Sequence, residues 1–333
     1  PCMNKMPPEI ESLQQQGVVI FHGEAEPHPD GTNVWQEALS SIVSGKHNLL
    51  YRGGRPDITN APLPRLTGAI ARQFTGRYVP VNAARGCPFR CKYCSVVTMQ
   101  GRVMRCRMPS IVLEYFRMLS AKYGLARTFF TDDNFARNKH RYEILSGLAE
   151  LRDQGHRISF MVQADVDACL KDEKLIPALS AAGCSSIFFG IESLNQKNLA
   201  AAGKHHNLGR NLQLLWQRCH ENNVIVHAAY MIGFQFDTPE SVASEVSQLF
   251  SFGADHATFF IRGPIPGCED WVRLLDTGAY IDPDINIYDS QHCCSTQGLE
   301  MSKKECETAY FRTWRQFYSL PNMIKARKRF SNR

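Results

Sequence analysis

Cys87-Pro-Phe-Arg-Cys91-Lys-Tyr-Cys94 sets three thiols four and then three residues apart. Thiolates at that spacing can wrap one corner of a cubane cluster, whose irons are held by cysteines, usually four. Three protein ligands leave one iron open to a small molecule. Zinc also binds short cysteine spacings, but a structural zinc needs a fourth ligand, and the chain has no second CxxC pair. Cys106, twelve residues on, is the residue that would complete a zinc site or an ordinary four-cysteine cluster.

Working outward, Tyr78-Val-Pro-Val81 reads as a strand running into the cysteine loop, and Pro109 to Lys122 as a helix. The alternation then repeats. Strands are expected at Arg127 to Phe130, Arg157 to Val162, Ser186 to Phe189, Val224 to Ile232 and His256 to Ile261. Helical patterns lie between them, near His140 to Gln154, Lys174 to Ala182, up to about Glu221, and from Pro239. Six strands alternating with helices argue for a parallel α/β sheet. Their number and short connections suit an open partial (β/α)6 barrel, in which chemistry gathers at the carboxyl ends of the strands.

CxxxCxxC with an aromatic, Tyr93, before the last cysteine resembles the hallmark of the radical S-adenosylmethionine (SAM) superfamily. The resemblance implies a TIM-like (β/α)6 barrel with a [4Fe–4S] cluster on the loop after its first strand. It implies Cys87, Cys91 and Cys94 as metal ligands, with SAM chelating the open iron through its amino and carboxylate groups. A reduced cluster then cleaves SAM to methionine and a 5′-deoxyadenosyl radical. The cofactors carry that chemistry, and the protein positions them and excludes water. A flavodoxin- or ferredoxin-type donor is implied as the electron source.

The strand ends supply candidate cofactor contacts, with Tyr93 among them. Thr131-Asp132-Asp133-Asn134 offers acceptors for the SAM ammonium, or a cap for the next helix. Gln163 is placed to bond SAM or substrate, or to serve a turn. Glu192, in Gly190-Ile-Glu-Ser193, can accept both ribose hydroxyls, with a cap at Ser193 as the structural alternative. Gly233, in Ile232-Gly-Phe234, lets the backbone approach closely, and in the superfamily this strand helps form the adenine pocket. Pro264-Ile-Pro-Gly267 is a turn that shapes the substrate mouth.

Arg85-Gly-Cys-Pro-Phe89, Asp132-Asp-Asn-Phe135, Gly190-Ile-Glu-Ser193, Lys204 with Asn207, and Pro264-Ile-Pro-Gly267 are similar to the cobalamin-binding branch of the superfamily. Its members methylate unactivated carbons, or cyclise and rearrange tetrapyrroles, lipids and natural products. Gly23-Glu-Ala-Glu26 resembles the end of that branch's Rossmann-type cobalamin domain. The expected organisation is a remnant of that domain over 1–50, a linker over 51–77, the core barrel over 78–267 and a mainly helical extension over 268–333. Residues 1–50 are expected to hold one strand, Val18 to Phe21, and a helix near Trp35 to Val43. The chain begins without Met and lacks the Asp-x-His-x-x-Gly motif that supplies a lower cobalt ligand. It therefore reads as N-terminally truncated, with cobalamin expected only in a full-length form.

Composition bounds the function. Hydrophobic content of 44% and charged content of 21% are ordinary for a globular chain. No apolar run approaches the roughly 20 residues of a membrane span, and the start is neither a secretory nor a transit signal. A cytoplasmic location is the default. The net charge of +6 is concentrated at residues 308–333, which carry seven Arg and Lys and no acid. The rest of the chain is nearly neutral, which argues against nucleic acid as a partner and makes RNA modification the weakest reading. The twelve cysteines of a long chain favour metal or catalytic roles over disulfides, with Cys169, Cys184 and Cys219 read as core residues. Asp289, His292, Cys293 and Cys294 form a polar cluster read mainly as packing. The expected partner is a small-molecule or lipid substrate. The competing reading is an iron–sulfur or zinc module without SAM chemistry.

Overall fold

The computed structural model describes residues 8–28, 30–64, 78–124 and 126–331. Helix α1 (Pro8–Gln15) leads into strand β1 (Ile20–Gly23), helix α2 (Val34–Val43) and strand β2 (Leu50–Gly54). The Asn33 side chain caps α2 by accepting from the Gln36 N–H at 3.0 Å. β1 and β2 pair in parallel, with Ile20 opposite Leu50. The sequence reading has one strand here and starts a linker at residue 51. Leu50-Tyr-Arg-Gly-Gly54 has too little β-propensity to stand out, and β2 exists because β1 offers it a partner. Residues 65–77 of the expected linker lie outside the described residues.

The central sheet follows. Its strands are β3 (Val79–Val81), β6 (Ala126–Phe130), β7 (Ile158–Ala164), β8 (Cys184–Glu192), β9 (Ile225–Ile232) and β10 (His256–Ile261). A short antiparallel pair, β4 (Ala84–Arg85) and β5 (Arg105–Cys106), stands beside it. The six strands run parallel in the order β10-β9-β8-β7-β6-β3. Each new strand adds on the same side of its predecessor, as right-handed βαβ crossovers dictate. Among the described residues, β3 and β10 remain edges and no barrel closes. The expected open (β/α)6 architecture is what forms.

The crossovers use helices α4 (Pro109–Tyr123), α5 (Arg141–Asp153), α6 (Val166–Lys171), α7 (Leu175–Ala182), α8 (Gln196–Ala201), α9 (Leu212–Glu221) and α10 (Pro239–Phe252), after the short α3 (Val96–Met99) of the cysteine loop. α6 is an extra turn of helix, capped by Asp165, whose side chain accepts from the Ala168 N–H at 2.8 Å. The start of α10 was legible: Thr238 and Ser241 form a capping box around Pro239.

Between sheet and helices, Phe116, Phe130, Phe135 and Phe160 are fully buried. Phe130 touches the other three at ring separations of 4.9 to 5.6 Å. Each such ring contributes about 1.5–3 kcal/mol by leaving water. Cys169, Cys184 and Cys219 are buried in the same core. The extension adds α11 (Glu269–Asp276), α12 (Lys303–Phe317) and α13 (Leu320–Ser331). α12 covers edge strand β10, packing Trp314 and Phe317 on Phe259 at 5.3 and 5.8 Å. That cover keeps an exposed strand edge from pairing with another chain.

Candidate active site

The loop between β4 and β5 carries all three predicted ligands. Its shape is fixed by backbone bonds: Cys87 N–H to Gly101 O at 3.1 Å, Lys92 N–H to Ala202 O at 3.0 Å, and Cys94 N–H to Cys91 O at 3.1 Å. Gly203, at φ 72°, lets the loop sit down; a Cβ there would lie 2.7 Å from the Arg90 carbonyl oxygen. Phe89 stacks face to face on His206 at 3.6 Å, with the Arg137 guanidinium 5.3 Å from its ring. Arg137 is held in turn by both carboxylate oxygens of Asp165, at 2.8 and 2.9 Å.

Burial raises the pKa of all three thiols, that of Cys94 to about 12, and the thiols act electrostatically on one another. Loading with metal therefore has to displace protons. Cys106 stands apart. It is buried on β5 opposite Ala84, and the charges acting on it are those of Lys139 and Asp132. Among the described residues no three His, Cys, Asp or Glu converge as on a single ion. A cubane needs no such convergence, because each of its thiolates takes a separate iron. The donor set fits an open-iron cluster, and among the described residues it gives zinc no fourth ligand.

Beneath the loop lies an ion pair that the sequence did not reveal. Lys204 Nζ donates to Glu192 Oε1 at 2.8 Å, and both residues are buried. Burial alone would lower the lysine pKa, but the Glu192 carboxylate and the Cys91 thiol raise it above its ordinary value. Glu192 closes β8 at φ 67°, where the register with β9 shifts. A non-glycine residue in that region marks local strain of the kind functional sites hold. Gly190 is required beside the pair, since a Cβ there would stand 2.6 Å from Glu192 Oε1 and 2.9 Å from Lys204 Nζ. Asn207 braces the turn by donating to Gly190 O at 2.8 Å. Tyr93 packs edge-on to Phe234 at 6.1 Å, and its buried hydroxyl lies against the Cys91 thiol. Glu192 and Cys91 both act on that hydroxyl electrostatically.

The remaining predicted contacts divide. Asp133 has a buried oxygen, Oδ2, without a partner, and its carboxylate acts on Cys87. Burial raises its pKa. Such an orphaned acceptor fits a cation arriving with a ligand. Asp132, fully buried, accepts from the Ala83 N–H at 2.7 Å and ties β6 to the root of the cysteine loop, and its Oδ2 likewise stands without a partner. Burial, opposed by the Ala84 and Ala83 N–H groups, lifts its pKa to about 7. Asn134 exchanges two hydrogen bonds with Asp165, which occupies both ends of its amide. Gln163 donates to the Asp132 carbonyl at 3.2 Å, from within β7 and not after it. Gly233, at φ 92°, donates to Asp237 Oδ2 at 2.9 Å. In the extension, Asp289 and His292 pair at 2.9 Å on the surface, while Cys293 and Cys294 are buried.

A cavity of about 360 Å³ opens at the ends of β9 and β10, with Lys92, Ala202, Phe234, Arg262, Asp270 and Leu299 in its wall. Arg262 lies 5.5 Å from the Phe234 ring and is ion-paired to Asp270.

An open parallel α/β barrel whose first strand feeds a three-cysteine loop is the framework of enzymes that hold an open-iron cluster. The profile of the radical SAM superfamily matches residues 81–249, about half of the chain, and the chain belongs to that superfamily. Its proteins use a [4Fe–4S] cluster and SAM. The chain is 26% identical to bacteriochlorophyllide d C-12(1)-methyltransferase of Chlorobaculum tepidum, covering 82% of this chain and 58% of that protein. It is 24% identical to the anaerobic magnesium-protoporphyrin IX monomethyl ester cyclase of Rubrivivax gelatinosus, covering 60% and 36%. The chain thus spans only part of the length of its relatives. Among solved structures, the radical SAM methyltransferase TsrM of Kitasatospora setae, with cobalamin and a [4Fe–4S] cluster bound, shares the fold at a TM-score of 0.55. That match has 19% identity and covers 62% of this chain and 38% of TsrM.

Proposed function

We propose that this chain is the core of an enzyme that cleaves SAM reductively to methylate, cyclise or rearrange a small-molecule or lipid substrate. The supporting observation is the three-thiol loop seated over the Glu192–Lys204 pair, with no fourth cysteine beside it among the described residues. When bound, the reduced cluster supplies one electron, which splits SAM into methionine and a 5′-deoxyadenosyl radical. Cys87, Cys91 and Cys94 would hold the cluster. Asp133 would take the SAM ammonium on its orphaned oxygen, and Glu192, already fixed by Lys204, would accept the ribose hydroxyls. Tyr93 and Phe234 would wall the site against water. Relatives named for work on bacteriochlorophyllide and protoporphyrin support a large, largely apolar substrate. An assay settles the reading: anaerobically loaded protein under dithionite should convert SAM to methionine and 5′-deoxyadenosine. Intact SAM in the presence of a full cluster would sink it.

The N-terminal unit is proposed as the last part of a larger Rossmann-type domain, with residues 78–267 as the core and 268–333 as the extension. On α2, Trp35, Leu39 and Ile42 form a stripe at i, i+4 and i+7 that is substantially exposed, and Val43 beside it is more so. Such a stripe suits further packing of the β1–α2–β2 unit. Cobalamin would then belong to a longer form. No described helix is long and apolar enough to cross a membrane. The free state of the described cysteines supports a reducing, cytoplasmic setting, where a flavodoxin or ferredoxin would be the electron donor.

A further inference from the structure

Arg85 and Arg105 face each other across the β4–β5 pair. Like charges directly opposite on antiparallel strands repel, and this pair stands at the root of the loop that bears the three cysteines. The compensating charges come from the N-terminal unit. Arg85 Nη1 donates to Glu24 Oε2 at 2.5 Å and to Glu26 Oε2 at 2.9 Å, and its Nη2 donates to Glu26 Oε1 at 2.5 Å. Arg105 grips both oxygens of Glu24, one of them at 2.8 Å, and also donates to Pro56 O at 2.6 Å and Gln100 O at 3.1 Å. All four side chains are largely withdrawn from solvent, with exposures of 12 to 21%. Arg55, from the same unit, reaches the carbonyls of Thr98 and Val97 at 2.5 and 3.3 Å, near the end of α3 within the loop.

We propose that Glu24 and Glu26 are positioning residues for the cluster, forming a bracket that holds the two arginines at the base of the cysteine loop. The inference rests on the reading of Cys87, Cys91 and Cys94 as cluster ligands. Two carboxylates and two guanidinium groups make the bracket neutral. Arg85 is two residues from Cys87, so losing the carboxylates leaves net positive charge beside the cluster. Charge near a cluster tunes its reduction potential, and added positive charge favours the more negative, reduced form. The bracket therefore does two things: it closes the β4–β5 root, and it offsets the charge of the two arginines there.

The test is Glu24→Gln with Glu26→Gln, which preserves shape and removes both charges. In the cluster-free protein, amide exchange over residues 86–104 should speed up roughly tenfold relative to wild type, with the core strands unchanged. In the loaded protein, about four irons should remain and the cluster's midpoint potential should move positive. Glu24→Gln with Arg105→Gln, which keeps the bracket neutral, should return the potential toward wild type. Glu114→Gln, from an exposed pair with Arg117, should change neither readout. If the double glutamine variant fails to fold, Glu26→Gln alone, which leaves Glu24 bridging both arginines, carries the same signs. Unchanged exchange in the cluster-free variant, or an unchanged potential in the loaded one, would overturn the bracket alone. Failure of wild type to take up a cluster would overturn the cluster reading and the bracket with it.

Discussion

Lys204 Nζ sits 2.8 Å from Glu192 Oε1, with each side chain 11% exposed, twelve residues apart in sequence and directly under the cysteine loop. Breaking a buried pair by removing one partner strands the other charge, at a cost of about 3–5 kcal/mol. Glu192→Gln and Lys204→Met should each lose stability on that scale in urea unfolding. The double variant should recover most of the loss. Additive losses in the double variant would mean that the two groups do not act as a pair.

The orphaned Asp133 oxygen makes an opposite prediction for stability and binding. Burial raises the Asp133 pKa, so its ionised form at neutral pH weighs against folding. Asp133→Asn should leave the fold as stable or more so, and keep the cluster. SAM binding should weaken roughly 10- to 100-fold, the size of one charge-assisted contact. Unchanged SAM affinity, read by calorimetry, would remove Asp133 from the site.

Cluster loading separates Cys106 from the other three cysteines. Cys106→Ala should hold about four irons and four sulfides per chain and keep the brown absorbance. Alanine at Cys87, Cys91 or Cys94 should lose it. Loss of the cluster in Cys106→Ala would show a fourth cysteine ligand and no open iron.

His206 carries the acid sensitivity of the loop. Burial, then the Lys204 charge, lowers its pKa to about 3, against an ordinary value near 6.5. Between those values the unfolded chain binds a proton that the folded one does not. The neutral ring's contribution is therefore fully present above about pH 6.5 and is lost as pH falls toward 3. From pH 7.5 to 5, wild type should lose about 2 kcal/mol relative to His206→Phe, which keeps the stack on Phe89. Parallel stability curves for the two proteins would show that the imidazole titrates freely.

Cobalamin tests the N-terminal unit. A ligand of that size needs a walled cleft that buries most of it, and the β1–β2 pair with α2 offers one flank. Hydroxocobalamin titrated into this 333-residue chain should leave its visible spectrum unchanged, while a longer form with a full Rossmann sheet should bind one equivalent. Stoichiometric binding by the short chain would mean that the unit is sufficient.

The order of elements was legible because each rests on short-range chemistry. Thr238-Pro239 at a helix start and Arg127-Thr-Phe-Phe130 as a buried strand need only their neighbours to be recognised. Asn134, Asp132 and Gln163 lie near the strand ends, where their side chains bond Asp165, the Ala83 N–H and the Asp132 carbonyl. No local pattern distinguishes a polar residue that serves a ligand from one that serves its neighbours. β2 stayed hidden because its two glycines read as linker until β1 lies alongside.

By itself, the sequence brought Cys87, Cys91 and Cys94 together, since they lie within one loop and their spacing needs no distant partner. It also determined the alternation of strands and helices, written in periods of two and 3.6. Only the tertiary structure decided that Lys204 neutralises Glu192, that His206 stacks on Phe89, and that Glu24 and Glu26 bracket Arg85 and Arg105 from about sixty to eighty residues away. Those pairings are set by which strand ends and loops the parallel sheet brings together. Electrostatic energy depends on distance and burial in space, and neither is written in the separation along the chain.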